Sequence, residues 1–367
     1  MGKEAVREAI EASLKKSVLS NEKLKNVYLL VHSDRHDIHW NMAYGRTGDN
    51  EAHPDQSYHT ASIGKTFTAV LIALLAEKGL LNMNDKIIRY LPEEVTAGLH
   101  VYKDKDYTSD ITIEHLLAHT SGLPDFYEEK PKNGKRFIEL LLEEPGKEWT
   151  ALDTVRFSKE YLGPKFEPGK RAHYTNYGYN LLGLIIENVT KMEYSEALHH
   201  YLFTPLSMDR TYLSQYSKPA QESVLPDATI VLANRETVFS ECHSFKSIYA
   251  GGQTVSTSED LLTFMKALRE GRILKEETLA SMQSWQKRLT GIDLGQGLMR
   301  IRMLPFTDKY TSWGHLGSIA SFMLYNPQMD AYVIGNFNNN SYVRQGIQFA
   351  FKTYRHLAKL EKKVESM

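Results

Sequence analysis

A chain of 367 residues is long for one hydrophobic core and points to two domains, or to one domain with a large insertion. Its 44 lysines and arginines stand against 45 acidic residues, which excludes a basic field for nucleic acid and strong steering by charge of either sign. The single cysteine, Cys242, excludes an intramolecular disulfide framework and reads as a buried structural thiol.

The chain opens as a charged amphipathic helix, Met1-Gly-Lys-Glu-Ala-Val-Arg-Glu-Ala-Ile10, instead of a signal peptide, and no stretch approaches the length of a transmembrane helix. The expectation is a cytoplasmic chain as it stands, extracytoplasmic if Met1-Gly2 stands where a leader was removed. Val27 to His32 and Asp37 to Tyr44 read as two strands joined by a polar turn at Ser33 to His36. Next comes an apolar run in which Phe67, Val70, Leu71, Leu74 and Leu75 keep helical spacing and Gly79 supplies the stop.

From about residue 80 to 245 helical patterns dominate: Thr112 to His119, Phe137 to Leu142, Thr154 to Tyr161, Tyr177 to Val189 and Tyr194 to Leu202. Turns at Ser121-Gly-Leu-Pro124 and Glu167-Pro-Gly169 break them. Strands return at Gly297 to Met303, Tyr310 to His315, Ser321 to Asn326 and Ala331 to Phe337, and a helix from about Val343 to Leu360 closes the chain. Strands and a helix at both ends around a helical middle imply an α/β (α+β) fold. One α/β domain would be built from 1–79 and 246–367, a mainly helical domain from 80–245, with the site in the cleft between them.

Ser62 and Lys65 head the apolar run three residues apart, so helical spacing puts both on one face. That is the layout of a nucleophile beside its own base, with backbone N–H groups of a helix start available to a developing oxyanion. Spacing alone is weak, because Ser-x-x-Lys also occurs at Ser13, Ser20 and Ser284, in charged or polar sequence. The plainer reading makes Ser62 a cap and Lys65 a surface residue. Gly64-Lys65-Thr66 is no phosphate loop, since His59 stands where the first glycine belongs. His115-Leu-Leu-Ala-His119 is no zincin motif, since Glu114 precedes the first histidine, and no metal site or cofactor is expected.

Two further clusters accompany the first. Tyr174-Thr-Asn176, the one Tyr-x-Asn among 21 tyrosines, precedes the helix at Tyr177. A lysine ammonium near its phenol would favour phenolate, and Asn176 can accept from Lys65 and donate to a substrate carbonyl; the plainer reading has Asn176 capping the helix. Trp313-Gly-His315-Leu-Gly317-Ser318 ends a strand-like segment in which a glycine lets backbone approach a ligand. His315 could bond to, or tune, the proton relay.

In this order, Ser62-x-x-Lys65, Tyr174-x-Asn176 and His315-x-Gly317 resemble the serine β-lactamase and penicillin-binding-protein superfamily. The branch resembled contains class C β-lactamases, D-alanyl-D-alanine carboxypeptidases and family VIII esterases. Ile111 to Pro124, Phe166-Glu-Pro-Gly169, Pro205-Leu-Ser-Met208 and Ala250 to Asp260 extend the likeness over roughly residues 25 to 355. The resemblance implies a β-lactamase/transpeptidase-like antiparallel sheet flanked by helices. It also implies Ser62 as nucleophile, Lys65 poising the proton network and Tyr174 as general acid/base. The N–H groups of Ser62 and Ser318 would form the oxyanion hole, Asn176 would hold the substrate amide, and His315 and Gly317 would belong to the third motif. By analogy Phe126 or Tyr127 is expected as pocket wall.

Many relatives carry lysine in place of His315 and a small hydroxylated residue in place of Leu316, both of which help hold a substrate carboxylate. Their replacement favours an esterase, amidase or D-amino-acid peptidase over an efficient β-lactamase. The expected partner is a small ester, amide or peptide substrate, with no nucleic acid and no membrane segment; the sequence sets no oligomeric state. The alternative is a protein that binds penicillin or peptidoglycan fragments in the same cleft without turnover.

Overall fold

Antiparallel pairing joins the two ends of the chain in one sheet. The computed structural model, which describes residues 2–289 and 291–364, sets Asn26–Ser33 beside Ala331–Asn336, with Tyr28 opposite Asn336 and His32 opposite Tyr332. Across the sheet the strands run Gln286–Leu289, Ile292–Leu294, Met299–Arg302, Thr311–Leu316, Ser321–Asn326, Ala331–Asn336, Asn26–Ser33, Ile38–Thr47 and Asn50–Glu51. Every neighbouring pair is antiparallel.

Alternation along the strands feeds two cores. Val27, Leu29 and Val31 join Val6, Ile10 and Leu14 of the helix Lys3–Leu19 and Tyr354 and Leu357 of the helix Val343–Val364. Tyr28 and Leu30 join Phe67, Val70 and Leu71 of the helix Gly64–Glu77 and Leu261, Phe264 and Met265 of the helix Ser258–Arg269. The sheet is thus flanked by helices on both faces, as the α/β (α+β) reading expects.

Between residues 80 and 245 lie the helices Ile113–Leu117, Phe137–Glu143, Ala151–Tyr161, Asn176–Thr190 and Tyr194–Leu198. The last of these passes into a π turn at His199–Phe203 instead of continuing as α-helix to Leu202. This segment is tied back by Tyr212–Leu213, which pairs with Thr254–Ser256, itself paired with Tyr58–His59 just ahead of Ser62. No helix among the described residues is long and apolar enough to cross a membrane.

The helix Gly64–Glu77 lies deep in the molecule. It is buried on every side, Lys65, Thr66 and Thr68 included, because the sheet lies against one side and the helix Asn176–Thr190 against another. Its buried hydroxyls are satisfied: Thr66 Oγ1 donates to Gly297 O at 2.9 Å, and Thr68 Oγ1 to Ala250 O at 2.8 Å.

Candidate active site

Ser62 sits in a 3₁₀ turn, Ala61–Ile63, that runs into the helix Gly64–Glu77. The turn is bolted on two sides. Ser321 Oγ donates to Thr60 O at 2.7 Å, and the N–H and Oγ1 of Thr60 both donate to Thr254 O at 2.9 Å. Ala61 holds a φ of +50°, a left-handed conformation that persists only where surrounding bonds impose it.

Lys65 is 0 % exposed. Its Nζ lies 3.3 Å from Ser62 Oγ and 2.6 Å from Asn176 Oδ1, and it also donates to Gly251 O. Charged, the ammonium donates to all three oxygens; neutral, the amine keeps two of those bonds and accepts the Ser62 hydroxyl proton. One geometry therefore serves both protonation states, which is what a proton exchange with Ser62 requires.

Tyr174 stands two residues before the helix Asn176–Thr190, which Thr175 caps through its side chain onto Tyr177 N. The cap is therefore Thr175, and Asn176 is spared for other bonds. The ring of Tyr174 lies against His119, centroids 4.4 Å apart, and Lys65 Nζ is 5.1 Å from its centre. His119 holds the backbone on both sides of Tyr174: its O accepts from His173 N at 2.8 Å and its Nδ1 from Thr175 N at 3.2 Å.

Asn176 spends both ends of its amide inside the protein. Oδ1 accepts from Lys65, while Asp125 Oδ1 accepts from its Nδ2 at 2.9 Å and its backbone N–H at 2.8 Å. One amide hydrogen remains for a substrate.

Ser62, Tyr174, Asn176, Gly317 and Ser318 line one cleft of about 750 Å³, a size suited to a small-molecule ligand. Ser318 is exposed in the turn after Thr311–Leu316, and Gly317 N donates to Ser321 O at 2.8 Å. A Cβ on Gly317 would stand 2.7 Å from Thr60 O, so glycine lets this turn close on that of Ser62. His315 is 1 % exposed, and its Nδ1 lies 2.8 Å from Leu316 O. That nitrogen must carry a proton to donate there, which leaves Nε2 as the acceptor of a neutral ring. Tyr127 is cleft wall, whereas Phe126 is fully buried against Phe137 at 5.3 Å. Of the two residues expected as wall, the neighbour of Phe126 takes that place because Phe126 serves the core.

The beta-lactamase family model matches residues 24–348. The chain belongs to the beta-lactamase family. Penicillin-binding protein 4* of Bacillus subtilis (strain 168) is 29% identical over 282 residues, which is 71% of this chain and 56% of that protein. Protein flp of Staphylococcus aureus (strain MW2) is 33% identical over 168 residues, 45% of this chain and 30% of flp. The matches thus span about half or less of the length of these curated relatives. The D-amino acid amidase of Ochrobactrum anthropi SV3, complexed with L-phenylalanine amide, shares the fold with a TM-score of 0.77 at 24% identity, over 98% of this chain and 99% of the amidase. Membership of the beta-lactamase family supports serine hydrolase chemistry in general.

Around this beta-lactamase-family cleft the titratable groups are set by burial. Burial raises Asp125, opposed by the N–H groups of Asn176 and Glu128 and by the charge of Lys65. Tyr179, 5.5 Å from Lys65 Nζ, is raised well above the usual phenol value by burial, with Tyr174 adding to the shift. His59, on the cleft wall, is pushed down to about 3 by burial; its ring stacks on Phe239 at 3.6 Å and its Nδ1 accepts from Ala61 N at 3.2 Å. Among the described residues no three His, Cys, Asp or Glu side chains gather to hold a metal ion.

By analogy the segment Asp125 to Tyr127 is expected to rim the cleft, but sequence reasoning did not assign Asp125, His119 or Gly251 as partners of Lys65, Tyr174 and Asn176. Their signals were the stretches His119-Thr-Ser-Gly-Leu-Pro-Asp125 and Ala250-Gly-Gly252, which become informative once they are folded beside Lys65. Cys242 is half-buried, its Sγ 3.2 Å from Thr237 Oγ1.

Proposed function

We propose that this protein is a serine hydrolase that forms an acyl-enzyme at Ser62 on an ester or amide substrate. The observation that carries the reading is the fully buried Lys65, with Nζ 3.3 Å from Ser62 Oγ at the wall of an open cleft.

In this reading Ser62 Oγ attacks the carbonyl carbon while its proton passes to the neighbouring Lys65–Tyr174 pair. The tetrahedral oxyanion is met by the N–H groups of Ser62 and Ser318. The shared proton goes to the departing alcohol or amine, and water then releases the acid from Ser62. His315 supports the proton pair, and Asn176 orients Lys65.

The substrate favoured is uncharged or carries an amine. His315 is buried, Leu316 offers the cleft no hydroxyl, and Asp125 and Glu128 are on the lining. Among the described residues the one arginine there, Arg136, is already paired with Glu139 at 2.8 Å. The shared fold of the D-amino acid amidase supports trying amino-acid amides beside simple esters.

Mixing the protein with p-nitrophenyl esters in a stopped-flow instrument should release a burst of p-nitrophenol matching the protein concentration, followed by steady turnover. Ser62→Ala should show neither phase. A wild-type burst with no later turnover would favour binding or sensing over hydrolysis.

A further inference from the structure

We propose that Asp125 is a positioning residue for acylation: by taking the backbone N–H and one side-chain N–H of Asn176 on a single oxygen, it fixes the amide plane that presents Oδ1 to Lys65. This rests on the serine hydrolase reading above.

An asparagine amide is nearly symmetric in shape, and its last torsion is soft, so nothing in its packing alone selects which end faces a lysine. Its neighbours must select it. The Lys65 ammonium can only donate and an ionised Asp125 can only accept, so with one on each side a single orientation satisfies both. Without Asp125, rotation of the amide would turn donors toward the donors of Lys65, and Nζ would lose its 2.6 Å acceptor.

Asp125 is itself held. It is 7 % exposed, its Oδ2 accepts from Glu128 N at 3.2 Å, and its own N–H donates to Glu129 Oε1 at 2.9 Å. Glu129 reaches His173 Nε2 at 2.7 Å and is paired with Lys165. Thr175 Oγ1 donates to Pro124 O at 2.6 Å. The turn at 124–129 therefore grips the segment 173–176 at both ends, with Glu129 on His173 and Asp125 on Asn176. Tyr174 lies between the two grips, so the same turn sets the phenol and the amide together. A carboxyl raised by burial and opposed by three N–H donors is the pattern expected of an acid retained for placement.

The test is a double-mutant cycle on the rate at which a fluorophosphonate labels Ser62, run with Asp125→Ala, Asn176→Ala and the pair, each checked for folding by thermal melting. Asp125→Ala alone should slow labelling about 100-fold, the scale of a misplaced reacting group. In the Asn176→Ala background it should cost less than about threefold more, because its effect runs through Asn176. Losses that multiply, or an unchanged rate in folded Asp125→Ala, would overturn the proposal while leaving the hydrolase reading intact. Absence of labelling in the wild type would instead overturn that reading. Should Asp125→Ala fail to fold, Asp125→Asn runs the same cycle: its amide cannot accept from both Asn176 and Glu128 N, so a loss of about tenfold, again suppressed in the Asn176→Ala background, is expected.

Discussion

Gly252 packs its bare Cα against the turn that carries Ser62: a Cβ there would stand 2.7 Å from Ala61 O and 3.2 Å from Ser62 N. Gly64 answers it from the helix, where a Cβ would lie 3.0 Å from Gly252 Cα. Two glycines facing each other let the strap after Tyr249 close on the helix start and deliver Gly251 O to Lys65. Gly252 also holds a φ of +151° and Tyr249 a φ of 45° with ψ −120°, so the strap is strained where it meets the lysine.

Gly252→Ala should therefore shift the nucleophile's turn, cutting the Ser62 labelling rate about 100-fold at a stability cost of about 1–3 kcal/mol. Gly146→Ala, with nothing within 4 Å of the added carbon, should change neither. Equal labelling by Gly252→Ala and wild type would show that the close approach is irrelevant to the chemistry.

Tyr174→Phe removes a hydroxyl while keeping the ring on His119. The chemical rate should fall by about 10² to 10⁴ with an unchanged melting curve. Lys65→Ala should be at least as damaging, and Lys65→Arg should not rescue it, since a permanently charged guanidinium cannot take a proton. A Tyr174→Phe protein as fast as wild type would remove the phenol from the mechanism.

Much of this was legible in the sequence, and the limits have physical causes. Ser62-x-x-Lys65 was separable from its three copies because only it leads an apolar run, and the strands from Ser321 to Asn336 announced themselves by composition. The helix Ser258–Arg269, absent from the expectations, carried its own signal: a Thr257 cap onto Asp260 N and Leu261, Leu262, Met265 and Leu268 at helical spacing. The strands Gln286–Leu289 and Ile292–Leu294 carry too few residues to show alternation. Their place is set by pairing, with Asp293 of the second holding Arg300 and Arg302 of its neighbour at 2.8 and 2.9 Å. Asp125 could not be assigned from sequence because its partner Asn176 is 51 residues away.

His59 makes stability depend on pH. Burial holds its folded value at about 3, below the ordinary 6.5, so between those values the unfolded chain binds a proton that the folded chain does not. Stability from this residue is fully present above about pH 6.5 and falls as pH drops toward 3, by up to about 1.4 kcal/mol per pH unit. Urea midpoints at pH 7 and pH 5 should draw closer together in His59→Gln than in wild type. An equal gap in both proteins would contradict the assignment.

Leu316→Thr would place a hydroxyl on the cleft wall. A hydrogen bond to a charged carboxylate should raise labelling by a fluorescent penicillin about tenfold relative to an uncharged p-nitrophenyl ester. An unchanged ratio would mean that Leu316 does not set the discrimination against carboxylates.

The central claim is tested most directly by mass. Wild-type protein treated with a fluorophosphonate near pH 8 should gain one adduct, and peptide mapping should place it on Ser62, with none on Ser62→Ala. An unmodified wild type across roughly pH 6 to 9, or an adduct equally abundant in Ser62→Ala, would contradict a nucleophile activated by Lys65.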